Sequence, residues 1–294
     1  MIAYKVLVIL GDGLIFGLLA TGVYIAFQWL RFPDLTPDGS FVLGAAICVK
    51  VASAGYPPLL AVFVSIAAGA LAGSCTAAVN KLVKVPTVVS GLLVSSALYS
   101  ITWLILGKPN QFLDSPHTLV GDFSGITAVF HLLIWLVIIC AATVAGLVVF
   151  GGSIWGLRTR AIGENPLLAN DLGASERQYT LLGLALANGI VGLSGALFTQ
   201  RSFSADINMG IGITIIGLTG LILGLLIAGG RRKVIVIILC VFAASILHKG
   251  ITFLTLELGM PAESFRLVSA VVLLLAFFLV RASSVDFLKS LKWN

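Results

Sequence analysis

A chain of 294 residues, 59% of them hydrophobic and only 10% charged, is too apolar for a water-soluble domain, since soluble domains carry roughly 25% charged residues. Its mean hydropathy of +1.10 calls for lipid as the solvent of most of its surface. The net charge of +6 is no nucleic-acid footprint, because the basic residues collect in the loops on one side of the apolar segments.

A membrane-spanning helix needs about 20 apolar residues. The first candidate, Val6–Leu30, is long enough to span and lacks the small-residue cleavage site of a signal peptide. The second, Phe41–Ala54, is too short to span comfortably alone. It follows the polar connector Phe32–Ser40, which contains Pro33 and Pro37, so a broken or re-entrant element is expected. Leu59–Val79 and Val85–Leu106 come next, then a linking segment, Ile126–Phe150. A polar stretch, Arg158–Arg177, interrupts the pattern before Tyr179–Phe198, Gly210–Ala228, Val234–Leu254 and Phe265–Val280. The expected fold is an all-α, polytopic membrane helix bundle of about nine segments, eight to ten, with one short broken or re-entrant element. Residues 1–294 read as a single transmembrane domain. A first half covers about 6–106, a linking helix 126–150, a polar loop 158–177 and a second half about 179–281.

Small residues let membrane helices approach closely, and the pairs Gly13/Gly17, Gly69/Gly73 and Gly220/Gly224 read as internal packing positions. Cys48, Cys75, Cys140 and Cys240 fall inside apolar runs without paired ligand spacing and read as small hydrophobes. His131 and His248 have no third ligand at sensible spacing, so no metal site is expected. Asp12, between two glycines, reads as an interfacial residue rather than a proton carrier.

Lys and Arg mark the cytoplasmic side of a membrane protein. With the Arg158–Arg177 loop placed inside, twelve of the 18 basic residues fall inside: Arg31, Lys81, Lys84, Arg158, Arg160, Arg177, Arg231, Arg232, Lys233, Arg281, Lys289 and Lys292. The C-terminus is then cytoplasmic. The first and sixth segments also end alike. Phe32 and Gly39 bracket one polar connector, Phe203 and Gly210 the other, with the same spacing of seven. Each connector precedes three more apolar segments, and the halves begin five segments apart, an odd number, so they would be inverted in the membrane. Interrupted segments at matching places in inverted halves point to a transporter and its pathway.

Two groups of polar residues stand out. In the loop, Asn165 can cap a short helix over Pro166–Leu172, with Pro166 in the first turn and Gly173 as its stop. Leu167, Leu168 and Leu172 give this helix an apolar side, and Glu164, Asn170 and Asp171 a polar rim, which suits docking into a groove on a soluble partner. In the connectors, Asp34, Thr36, Asp38, Ser40 and the adjoining Phe41, with Asp206 and Asn208, lie near broken helices. Asp38 and Ser40 either cap the second segment or, with the others, line a pathway.

Four patches carry a family resemblance: Pro33–Ala46, Ala97–Asn110, Gly163–Gly173 and Leu182–Leu197, with Ala205–Gly212 a fifth. They resemble the permease subunits of ABC importers of the branched-chain amino acid and ribose type, nearest the branch linked to tryptophan or tyrosine uptake. The resemblance implies a bacterial inner-membrane importer: a dimer of permeases, a cytoplasmic ABC ATPase dimer and an extracytoplasmic solute-binding protein. The loop then becomes the ATPase-coupling element, and the solute a small molecule: an amino acid, an aromatic one included, with nucleoside or sugar as the alternatives. The permease itself would be no enzyme, with ATP and Mg held by the partner ATPase. In agreement, the chain has no Gly-rich loop ending in Gly-Lys-Ser/Thr. It departs from the family pattern around Trp103 and at Gln200–Phe203. Tyr99 and Trp103, four apart, share a helix face, as packing residues or as a stack for an aromatic solute. An ion-coupled secondary transporter is the alternative class, and it would have no use for Gly163–Gly173.

Overall fold

The computed structural model describes residues 2–113, 118–119, 125–171, 173–231, 233–261 and 264–282. Leu172, Arg232, Lys289 and Lys292, singled out above, lie outside the described residues. Helix α1 (Ile2–Tyr24) widens into a π turn, Ile25–Trp29, where the Leu30 N–H donates to the Ile25 carbonyl. The chain then leaves the helix through Arg31 at φ +48°, ahead of Pro33, which disfavours helix at the residue before it. Helix α2 (Pro37–Ser53) restarts with proline in its first turn, where the missing N–H is no loss. The broken second segment is therefore present, and it starts at Pro37 rather than Phe41 because the polar residues Asp38–Ser40 are already helical.

Helices α3 (Pro58–Val83) and α4 (Thr87–Leu106) each follow a proline directly. Helix α5 (Gly125–Gly152) leads to two short helices, α6 (Ile154–Glu164) and α7 (Pro166–Asp171). Then come α8 (Glu176–Ser202), α9 (Ile213–Ala228), α10 (Val234–Glu257) and α11 (Phe265–Ala282). Two three-residue strands, β1 (Asn110–Phe112) and β2 (Ser204–Asp206), pair antiparallel with Asn110 opposite Asp206. Among the described residues six helices are long and apolar enough to cross a membrane: α1 with its π turn, α3, α4, α5, α8 and α10. The fold is an all-α polytopic bundle.

Helix α8 is the central post and runs antiparallel to α1. Leu30 packs on Gly183 near the start of α8, Ser194 Oγ donates to the Ile15 carbonyl at 2.7 Å, and Arg201 near its end pairs with Asp12 at 3.0 Å. The neighbours of the two halves correspond. Helix α2 packs against α8 and α3 as α9 packs against α1 and α10, and α4 lies on α2 as α11 lies on α9. Close approach is bought with glycine: a Cβ on Gly44 of α2 would meet the Gly192 backbone of α8. The three glycine pairs noted in the sequence all face other helices of the same chain, α10 or α8.

Charge separates to the two ends of the bundle. At the α6–α7 end, Arg31 pairs with Glu164 and Lys81 with Glu176, while the Arg160 guanidinium lies 5.3 Å from the Trp29 ring centroid. At the opposite end, Lys5 pairs with Glu257 and Lys249 Nζ sits 3.3 Å from the Phe16 ring centroid. The interfacial reading of Asp12 fits its pairing with Arg201 there.

Candidate functional site

The break between α1 and α2 is held by a buried polar network. Asp34 Oδ1 accepts from the Thr36 N–H at 2.8 Å and from the Thr36 hydroxyl, and Asp34 Oδ2 accepts from Asn188 Nδ2 at 2.8 Å. The other atom of that amide, Asn188 Oδ1, accepts from Ser40 Oγ at 2.8 Å. Thr36 and Thr76 share a hydroxyl–hydroxyl bond of 2.6 Å. Asp34, Thr36, Ser40, Thr76 and Asn188 are fully buried. A buried carboxylate is tolerable only with such partners, and Asp34 forms no ion pair among the described residues. The network ties the connector to α3 and α8 and fixes where α2 begins.

Asp38 does not cap its own helix. Helix α9 starts after Gly212, which has no side chain with which to cap it. Asp38 of α2 supplies the acceptor: its Oδ1 takes the Thr214 N–H at 2.8 Å and the Thr214 hydroxyl at 2.6 Å, and its Oδ2 the Gly212 N–H at 3.3 Å. A carboxylate at a helix N-terminus is favourable because free N–H groups and the helix dipole both present positive charge there. The two interrupted helices, one from each half, are thus joined at their starts. Next to the joint lies a cavity of about 350 Å³ between α2, α4 and the connector into α9, bordered by Asp38, Val42, Ser95, Tyr99, Thr102 and Ile211 among others.

The remaining connector residues divide. Asp206 pairs in the β1–β2 ladder and its Oδ1 accepts from the Asn208 N–H at 2.7 Å, an Asx turn that shapes the connector. Neither Asp206 nor Asn208 borders the cavity, whereas Ile207 and Gly210 beside them do. Phe41 is buried in an aromatic cluster, its ring 6.2 Å from Phe16 and 5.7 Å from Phe198. Tyr99 is at the cavity mouth, and Trp103 is exposed on the same helix without bordering the cavity.

At the α6–α7 end the sequence builds an exposed knob. Asn165 Oδ1 accepts from the Leu168 N–H at 3.1 Å, capping α7. Gly173, at φ +78°, ends the turn. Asn170 Oδ1 takes the Glu176 N–H at 2.9 Å, so it serves the start of α8. Ala169 alone of α7 points into the small cluster with Ile162, Ala174 and Tyr179. Leu167 and Leu168 are left 78% and 56% exposed, with Pro166 and Asp171 exposed beside them. Glu164 is held by Arg31 at 2.7 Å and so belongs to the link with the α1 break rather than to a free rim. The knob bears directly on that break: a Cβ on Gly163 would strike the Trp29 carbonyl, and the Trp29 ring stacks on Phe150 at 6.2 Å.

Several of these residues were not singled out from the sequence. Asn188, an amide in the apolar middle of α8, is a detectable signal, because a polar side chain at membrane depth is retained for a partner. Thr76, Trp29 and Thr102 gave none, since a lone Thr or Trp in an apolar helix is ordinary. The π turn also has no sequence signature here.

Interrupted helices from antiparallel halves, meeting at a polar joint beside a cavity, define a polytopic transport permease. The protein family described as "Branched-chain amino acid transport system / permease component" matches residues 6–277. The chain belongs to that family, a permease family of ABC transporters, and is a transport protein rather than an enzyme. It is 31% identical over 267 residues to a tyrosine transport system permease protein of Clostridioides difficile (strain R20291), covering 90% of this chain and 88% of that one. It is 32% identical over 206 residues to an uncharacterised protein of Rickettsia prowazekii (strain Madrid E), covering 70% and 71% of the two chains. No solved structure matches the chain.

Proposed function

We propose that this chain is the translocating subunit of an ATP-driven importer for an aromatic amino acid, with tyrosine the first solute to test. The observation that carries the reading is the joint between the halves: Asp38 of α2 caps α9 across the repeat, beside a cavity. Irregular backbone at membrane depth is tolerated where protein or a water-filled cavity satisfies it, and in transporters such breaks adjoin the substrate path. The C. difficile relative, named for tyrosine transport, supports the solute class.

In this reading α7 is the coupling helix. Leu167 and Leu168 enter an apolar groove on a cytoplasmic ABC ATPase, with Asn165, Pro166, Asn170, Asp171 and Gly173 shaping the knob and Glu164 fastening it to Arg31. ATP and Mg act on that partner. A dimer of ATPases implies a second permease, a copy of this chain. An extracytoplasmic binding protein delivers the solute. The α6–α7 end, where Arg31, Lys81, Arg158 and Arg160 gather, faces the cytoplasm of a bacterium by the positive-inside rule, and the C-terminus lies on the same side.

The test is reconstitution of the permease with its ATPase and binding protein in liposomes. The expected result is tyrosine accumulation that requires ATP and is indifferent to proton and sodium gradients. Uptake that follows an ion gradient without ATP would overturn the reading.

A further inference from the structure

The cavity beside the joint carries a buried hydroxyl with nothing to do. Ten helical Ser and Thr side chains of this protein donate to the carbonyl four residues back: Thr21, Ser65, Ser74, Thr76, Thr143, Thr159, Ser202, Thr219, Ser245 and Thr252. Thr102 of α4 is equally helical and fully buried, yet its Oγ1 has no hydrogen-bond partner. An unpaired buried hydroxyl is costly, and this one borders the cavity.

Asp38 borders the same cavity. It is the one charged residue on the cavity wall among the described residues, and it forms no ion pair there. Its hydrogen bonds are unevenly placed. Oδ1 accepts two, at 2.8 and 2.6 Å, while Oδ2 accepts only the long one from Gly212 at 3.3 Å. A carboxylate has about four lone-pair sites, so Oδ2 keeps capacity for a further donor. Apolar side chains, Val42 and Ile211, complete the wall.

We propose that this cavity is a recognition site for the ammonium group of the transported solute, with Asp38 as its counter-charge and Thr102 Oγ1 as a neutral acceptor. An ammonium has three donors and no acceptor, which is what a carboxylate oxygen and an idle hydroxyl can take together. A solute whose only charge is a carboxylate or phosphate would be repelled by Asp38, and an uncharged polyol would leave its charge unused. Thr102 is thereby a specificity-determining residue that the family resemblance and the sequence pattern leave unassigned. The inference rests on the transport reading above.

Two isosteric variants separate this role from a structural one. Asp38→Asn keeps an Oδ1 acceptor for Thr214, removes the charge and gives up the long contact to the Gly212 N–H, so its uptake loss counts for the site only if the complex melts near the wild-type temperature. Thr102→Val removes the hydroxyl at constant shape, and Thr102→Ser restores it. The measurement is ATP-driven uptake of L-tyrosine by liposomes containing the full complex, per assembled complex, together with the melting temperature of each complex. A site built to hydrogen-bond a polar group loses rate steeply when one partner is deleted, so each of Asp38→Asn and Thr102→Val is expected to lower uptake roughly tenfold or more. Thr102→Ser is expected to recover it, and the Thr102→Val complex to melt at or above the wild-type temperature. Uptake within about twofold of wild type in both variants, against that tenfold expectation, would overturn the site while leaving the importer intact. A Thr102→Val loss matched by a lower melting temperature would assign the hydroxyl to structure and overturn it too. Absence of ATP-driven uptake by the wild-type complex would overturn the transport reading and the site with it.

Discussion

The buried Asp34 network at the break between α1 and α2 and the knob at the end of the bundle are opposite answers to the same composition. At the break between α1 and α2 the polar groups of the Asp34 network are matched inside the chain: Asp34, Thr36, Ser40, Thr76 and Asn188 bond one another and are fully buried. At the knob two leucines project outward with no internal partner, 78% and 56% exposed. A satisfied buried network specifies geometry, whereas the exposed apolar pair on a short capped helix is, in the proposed function, the surface that meets the ATPase. The difference teaches where each kind of substitution should register, in folding at the Asp34 network and in coupling at the knob.

The largest expected effect is at the knob. Leu168→Asp would place a charge in the proposed ATPase groove, where burial of an unpaired charge costs several kcal/mol. Uptake should fall about 100-fold or more, since each 1.4 kcal/mol is tenfold, while the amount and melting temperature of the isolated permease stay at wild-type values. A loss of folded permease instead would make the knob a structural element and erase the contrast.

Next is Asp34→Ala, which leaves the Asn188 amide and the Thr36 hydroxyl buried without their acceptor and should destabilise the chain by about 3 kcal/mol. Folded yield in membranes and thermal stability in detergent are the readouts. Unchanged stability with lost transport would mean that Asp34 meets solute rather than holding the break.

Gly163→Ala sharpens the link between the two regions. The added methyl meets the Trp29 carbonyl at the π turn, and overpacking of this kind costs about 1–3 kcal/mol. Stability and coupling should decline together, because α6 and the end of α1 are one contact. The smallest effect is expected from Glu164→Gln. Its ion pair with Arg31 is about half to two-thirds exposed on either side, and such pairs contribute at most about 1 kcal/mol, so the melting temperature should hardly move.

Much of this contrast is legible in the sequence, for a physical reason. Long apolar runs and the prolines at 33, 37, 57 and 86 dictate helices and their breaks locally, and Asn165, Pro166 and Gly173 carry the short helix in their own side chains and backbone preferences. The matching Phe–Gly spacings also announce that the two breaks correspond. The partnerships across the bundle are not local. That Asp38 caps α9 rather than α2 follows from Gly212 lacking a cap and from α2 and α9 starting side by side, which only the packed structure brings about. For the same reason Asp206, so similar to Asp38 on paper, spends its carboxylate on the Asn208 turn outside the cavity. The sequence alone starts the second segment four residues late, because Asp38–Ser40 has loop polarity, while in the structure the Asp38 carboxylate is satisfied at the start of α9 and the Ser40 hydroxyl by Asn188.

The most direct test of the central claim, that the knob meets an ATPase and the joint does not, is photo-crosslinking in native membranes. A benzophenone attached at Leu168→Cys and, separately, at Ser96→Cys beside the cavity would be irradiated in the full complex. The account predicts a covalent adduct between the ATPase and the permease from position 168 and none from position 96. An ATPase adduct from position 96, or none from position 168 in a complex that hydrolyses ATP and transports, would contradict it.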